Sequence, residues 1–164
     1  MVKYDTLKKK IVNREQLKVL VESWKLQHKK IVFTNGCFDL LHLGHIDYLA
    51  RAADNGDKLI IGVNSDKSTT SLKGPTRPIT DETSRSHILA SLFFVDAVTL
   101  FDEPTPLELI SLVSPDVLIK GADYAINEIV GADHVLSYGG EVKTLHYLQG
   151  YSTTAIEKKI RNLS

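Results

Sequence analysis

The stretch Thr34-Asn-Gly-Cys-Phe-Asp-Leu-Leu-His42-Leu-Gly-His45 sits where one periodicity ends and another begins. An apolar, β-branched run at 31–33 precedes it, and Ile46, Leu49, Ala50 and Ala53 follow at helical spacing. A strand therefore feeds a helix through a turn that holds two glycines and two histidines. Unpaired N–H groups and the helix dipole make such a junction a place for an anion. The expectation is a phosphate site around which the chain is arranged.

Outward from that turn, short apolar runs alternate with helical patterns. Residues 31–34 and 58–64 read as strands buried on both faces, and 97–101, 117–120 and 141–145 as three further strands. Helices are expected at 14–27, 46–55, 81–92, 106–113, 127–137 and 154–161. Asn13 suits the N-cap of the first, Gly56 the end of the second and Pro106 the first turn of the fourth. Residues 1–12 show no period. Residues 65–80 show little, and are expected as a long irregular connection of the functional kind. Strand–helix alternation implies an α/β fold, a doubly wound, mostly parallel five-stranded sheet with right-handed crossovers. Residues 1–29 are expected to pack as a tail and helix on a single domain formed by 30–164.

Composition narrows the class. The chain has 164 residues, enough for one domain with a sizeable core. Lys plus Arg and Asp plus Glu number 20 each, so the net charge is zero, which argues against a general nucleic-acid binder. The one cysteine, Cys37, excludes an intrachain disulfide and stands in no CxxC pair. No apolar run approaches the roughly 20 residues that span a bilayer. The N-terminal residues are polar and lysine-bearing with no apolar segment after them, so a cytoplasmic location without signal peptide or membrane contact is expected.

In an open α/β sheet, ligands bind beyond the carboxyl ends of the strands. Asn35, Gly36, Phe38, Asp39, His42 and His45 follow the first strand. Asn64, Ser65 and Asp66 follow the second, then a loop with Lys73 and Arg77. Lys120, Gly121 and Asp123 follow the fourth strand, and Ser152, Thr153 and Thr154 the fifth. Gly44 lets backbone and ligand approach closely, and two imidazoles three residues apart suit adjacent phosphate oxygens. A zinc pair is the competing reading, but His28, His87, His134 and His146 are scattered and no Cys or carboxylate stands at ligand spacing. Thr154 with Glu157 fits a capping box; a second phosphate site at that helix start is the alternative. For Lys73 and Arg77, solvated loop charges and phosphate contacts both stand open, and Arg85 reads as an exposed helix residue. There is no GxxxxGK[ST] loop, no GxGxxG turn and no GxSxG elbow.

The run Asn35-Gly-Cys-Phe-Asp39 with His42-Leu-Gly-His45, paired with Ser152-Thr-Thr154, resembles the HxGH nucleotidyltransferase superfamily. Val63-Asn-Ser-Asp66, Leu72-Lys-Gly74, Arg77-Pro-Ile79, Lys120-Gly-Ala-Asp-Tyr124 and Gly139-Gly-Glu-Val142 narrow the likeness. They resemble the adenylyltransferase domain of the bifunctional heptose-phosphate kinase/adenylyltransferases, a domain that also occurs alone. The likeness runs from about residue 30 to the C-terminus.

The resemblance implies a Rossmann-like fold and transfer of AMP from ATP to D-glycero-β-D-manno-heptose 1-phosphate. The products are ADP-heptose and pyrophosphate, for lipopolysaccharide core or surface glycans. It assigns catalysis to His42, His45, Lys73 and Arg85. Nucleotide binding falls to Asn35, Gly36, Phe38, Gly44, Lys120, Gly121, Ser152, Thr153 and Thr154, and substrate binding to Asp39, Asn64, Asp66, Arg77 and Asp123. Mg²⁺ is expected to arrive with ATP rather than on protein ligands, though Asp39 and Asp123 are open between sugar and Mg²⁺. Relatives suggest a homodimer. Ala122 stands where many relatives carry glycine, which matters only if that backbone needs positive φ. The rival readings are a cytidylyltransferase for another sugar or polyol phosphate and a nucleotide-binding module without catalysis.

Overall fold

A computed structural model of the chain describes residues 3–122 and 125–163. Five strands, β1 (Ile31–Gly36), β2 (Lys58–Asn64), β3 (Ala97–Phe101), β4 (Val117–Gly121) and β5 (Glu141–Leu145), form one sheet. Every pairing is parallel, in the order β3-β2-β1-β4-β5. The fold is Rossmann-like, and strand order reverses between β1 and β4.

Eight α-helices accompany the strands among the described residues: α1 (Lys3–Lys8), α2 (Arg14–Leu26), α3 (Leu43–Ala53), α4 (Asp66–Lys73), α5 (Glu82–Ser91), α6 (Leu107–Val113), α7 (Ala132–Ser137) and α8 (Thr153–Arg161). Side chains alternate across each strand, so a strand buried on both faces feeds two cores. Ile31 and Phe33 join Leu17, Val21, Leu109, Ile110 and Val135 on one face, covered by α2, α6 and α7. Val32 joins Tyr48, Leu49, Ala52, Leu89 and Ala90 on the other, covered by α3 and α5.

Three expectations change. Residues 1–12, without visible period, contain α1 and then run beside β3: Val12 N–H donates to Val98 O at 2.9 Å and Val98 N–H to Lys10 O at 2.8 Å. Main-chain bonds carry that pairing and cover the edge of the sheet. The irregular stretch expected at 65–80 contains α4. Its inward face is Ser68 and Thr69, both buried, and their hydroxyls bond Asn64; a polar buried face leaves no hydrophobic period to read. The single helix expected at 127–137 is a 3₁₀ turn, Ile126–Glu128, and then α7. Gly131, at φ 86°, separates them in the left-handed region.

Candidate active site

The site begins with a parting of strands. β1 pairs with β2 along all its residues, but with β4 only at Val32↔Val117 and Phe33↔Leu118. Beyond that point the carboxyl ends of β1 and β4 bound a crevice at the reversal of strand order, the place where α/β sheets bind ligands. Lys120 Nζ donates to Asn35 Oδ1 across it at 2.7 Å. The cavity is about 470 Å³, and its lining includes Gly36, Phe38, His45, Asn64, Lys73 and Gly121.

His45 reaches this cavity from the first turn of α3. Its ring stacks on His42, centroids 3.8 Å apart, and Phe38 meets it edge-on at 5.5 Å. Phe38 adopts φ 48° to do so, an uncommon conformation for a bulky residue. His42 N–H donates to His45 Nδ1 at 3.4 Å; with Nδ1 accepting, the neutral ring keeps a donor at Nε2. Burial, helped by His42 and Lys73, brings the His45 pKa down to about 4, so the ring is neutral at pH 7. Burial also lowers His42, whose Nδ1 is buried with no protein partner among the described residues.

A second cavity, about 540 Å³, is also lined by His45. Its walls include His42, Tyr147, Gly150, Tyr151, Ser152 and Thr153, and it shares His45 and Tyr147 with the crevice. The start of α8 faces it. Ser152, not Thr154, caps this helix: Ser152 Oγ accepts from Ala155 N–H at 3.1 Å, and Thr154 is exposed and lines neither cavity. Glu157, expected to complete a cap with Thr154, pairs instead with Arg77. A Cβ on Gly44 would stand 3.1 Å from the His42 ring and 3.2 Å from Tyr151 Cβ. Glycine there admits the loop before α8 and so brings two helix N-termini together.

Four residues expected to touch ligand are occupied by protein. Asp39, 3% exposed, accepts from Arg77 Nη1 (2.6 Å), Ile79 N–H (2.7 Å) and Thr80 N–H (3.0 Å). Burial alone would raise its carboxyl, but those donors hold it below the ordinary range. Arg77 is divided between Asp39 and Glu157, away from both cavities. Arg85, expected exposed, is 1% exposed and donates to Thr80 O (3.0 Å), Cys37 O (2.5 Å) and Asp66 Oδ1 (2.8 Å). Asp66 is thereby an anchor for Arg85. These side chains fix the turn, the 74–80 loop and the start of α4 to one another. Asp123 lies outside the described residues. Ala122 is not among the residues of positive φ, so alanine fits its turn without strain.

Tyr147 and Pro104, which no motif or period marks in the sequence, line the crevice with Leu72 and Pro106. The carboxyl-end rule holds the signal for the prolines, because both follow β3. Tyr147 follows β5, and its ring lies against Gly121, where a Cβ would meet it at 2.4 Å.

A family model described as cytidylyltransferase-like matches residues 33–159, from β1 through most of α8. The chain belongs to the cytidylyltransferase-like family. As a member it is a nucleotidyltransferase. It is 54% identical over 145 residues to the bifunctional protein HldE of Caulobacter vibrioides, covering 88% of this chain and 30% of that protein. With HldE of Koribacter versatilis it is 51% identical over 150 residues, 92% of this chain and 31% of that protein. The chain thus spans about a third of the length of these curated relatives. Among solved structures, the lipopolysaccharide core biosynthesis protein of Thermoplasma volcanium superposes with a TM-score of 0.60 at 33% identity, covering 76% of this chain and 99% of that one. The pantoate-beta-alanine ligase of Francisella tularensis, TM-score 0.64 and 18% identical over 92% of this chain and 76% of its own, shares the fold.

Proposed function

We propose that this chain transfers the AMP of ATP to D-glycero-β-D-manno-heptose 1-phosphate, giving ADP-heptose and pyrophosphate. The observation that carries the chemistry is His45, a neutral hydrogen-bond donor forming the common wall of two cavities. The choice of substrates rests on the motif resemblance, on identities of 48–54% to HldE proteins, and on the lipopolysaccharide role named for the Thermoplasma relative.

A sugar-phosphate oxygen attacks the α-phosphorus of ATP, the new P–O bond forms, and the bond to the β-phosphate oxygen breaks. The nucleophile is already ionised at pH 7, so the protein's part is positioning and charge stabilisation. His42 and His45 donate to the α- and β-phosphates; Ser152 and Thr153, at the start of α8, receive the departing phosphates. Lys73, at the end of α4, adds positive charge over the crevice. Asn35, Gly36, Phe38 and Gly121 form the nucleotide's walls, and Asn64 faces the sugar. Arg85, Arg77 and Asp39 act as positioning residues. Among the described residues no three His, Cys, Asp or Glu side chains converge as a metal site. Mg²⁺ enters this reading as part of the ATP substrate, and no step is assigned to it. A homodimer belongs to the same reading and is checked by light scattering.

The test is pyrophosphate release from the purified chain with heptose 1-phosphate and either ATP or CTP. Turnover with ATP is expected. Turnover with CTP alone overturns the adenylyl assignment, and tight ATP binding without release across a panel of sugar 1-phosphates supports a non-catalytic module.

A further inference from the structure

The gap between β1 and β4 opens against an intact register. Asp116 O accepts from Glu141 N–H, and Ala122 N–H donates to Leu145 O, so the main-chain groups of 116 and 122 face β5. Those of the alternating residues Val117 and Ile119 therefore face β1. Pairing at Val32↔Val117 and Phe33↔Leu118 makes Thr34↔Ile119 the next step, with Asn35 N–H as the donor to Ile119 O. That step is missing, although the two strands run on to Gly36 and Gly121.

Tyr48 stands in its place. Its hydroxyl donates to Ile119 O at 3.3 Å. A carbonyl only accepts, so the phenol hydrogen is used there, and Thr34 Oγ1 donates to Tyr48 Oη at 2.8 Å. Thr34, Tyr48 and Ile119 are all buried. The Tyr48 ring belongs to the apolar cluster of Val32, Leu49 and Ile61, where a polar atom costs desolvation unless it finds partners. Burial raises the phenol above its ordinary range, which keeps the proton on this oxygen. Tyr48 follows His45 by three residues on one face of α3, and both line the crevice.

We propose that Tyr48 is a positioning residue: its hydroxyl takes Ile119 O away from the β1 main chain and so holds the crevice at the width the nucleotide needs. This role rests on the crevice receiving the nucleotide, as read above. The ring of Tyr48 also backs Tyr147, centroids 5.2 Å apart, which in turn lies against Gly121 at the end of β4. One helix thus sets both the histidine that meets the phosphates and the spacing of the strands beside it. A phenylalanine at 48 would fill the same space in the core but would leave Ile119 O to Asn35 N–H, and the ladder would close by one step.

The test pairs Tyr48→Phe, which removes the hydroxyl and keeps the ring, with Thr34→Val, which removes the other bond and leaves Tyr48 on Ile119 O. In Tyr48→Phe, amide exchange at Asn35 is expected to slow by about tenfold or more as its N–H joins the ladder. The KM for ATP should rise about tenfold, since small displacements of a binding wall are costly. The KM for the sugar phosphate and kcat should each move by less than about threefold. Thr34→Val should melt earlier than wild type, with Asn35 exchange and the KM for ATP within about twofold of it. Earlier melting of both variants with neither Asn35 exchange nor the KM for ATP altered makes the Tyr48 bonds structural and overturns the proposal. Either change in Tyr48→Phe without the other overturns it as well, as does a Thr34→Val variant that matches Tyr48→Phe in both. If wild type turns over no sugar phosphate, the functional reading fails by itself. The Kd for ATP then takes the place of KM, with the same tenfold rise expected and an unchanged value overturning the role of Tyr48.

Discussion

The two helices whose N-termini meet at the site are attached to the molecule in opposite ways. α3 buries Gly44, Tyr48, Leu49 and Ala52, and Tyr48 OH shares a 2.8 Å bond with Thr34 inside the core. α8 buries no residue; Ile160 is 58% exposed. Its ion pair to the body of the protein runs from Glu157 to Arg77, which in turn holds Asp39 beside the α3 turn. Burial of apolar area is insensitive to ionic conditions, whereas a partly exposed ion pair is weak and screened by salt. The half of the site that carries His42 and His45 is therefore fixed by the core. The half at the start of α8 is fastened by charge, and in the proposed reaction it is the half that releases a product.

The sharpest way to break that contrast is Arg85→Met. Arg85 anchors the fixed half: it holds Cys37 O, just before Phe38, to Thr80 and Asp66. Removing it leaves two carbonyls and a carboxylate without their donor, and a loss of about 3–5 kcal/mol is expected in urea unfolding. A loss below about 1 kcal/mol would mean the α3 turn is not secured there.

His45→Gln comes next. Turnover should fall by about 10² to 10³, the usual consequence of losing one transition-state donor, with a small change in the KM for ATP. An equal fall in affinity would recast His45 as a binding residue. The same variant has a pH signature. In the folded chain His45 titrates at about 4 rather than its ordinary 6.5, because burial opposes its charge. Between those values the unfolded chain binds a proton that the folded chain refuses, so stability falls as pH is lowered from about 6.5 towards 4. His45→Gln should lack that component, and its melting temperature should decline less steeply than wild type over the same window.

The fixed half was also the more legible half. β1 and α3 announce themselves through apolar periodicity, and the glycine and histidine turn between them is local in sequence. Hence the parallel sheet, and the glycine and histidine turn whose His45 lines both cavities, could be read from spacing and motif. Asp39 and Arg77 read as ligand contacts because a charge beyond a strand end looks the same whether it faces solvent, phosphate or another side chain; Arg85 does so through the resemblance alone. Their partners lie far along the chain, Asp39 with Arg77 and Arg85 with Cys37, and no local pattern encodes such pairs. α4 went unread for a related reason, since its buried face is made of hydroxyls. Tyr147 was missed because an exposed aromatic in a loop carries no periodic signal.

The smallest expected effect tests the charge-held half most directly. Glu157→Gln keeps the size of the side chain and an oxygen acceptor but removes the charge facing Arg77. Global stability should change by less than about 1 kcal/mol, the range of partly exposed ion pairs. Amide exchange along α8 should quicken while α3 keeps its protection, since the ion pair is local and the apolar face of α3 is untouched. The KM for ATP should rise modestly, with kcat nearly unchanged. In the wild type, added salt should reproduce the faster exchange of α8 by screening the pair, and in Glu157→Gln it should have little further effect. If α8 exchanges at the same rate in both proteins at low salt, charge is not what holds it. The contacts of its loop, Tyr151 against Gly44 and His146 O accepting from Arg51 Nη2 at 2.6 Å, would then be its true attachment, and both halves of the site would be fixed through α3.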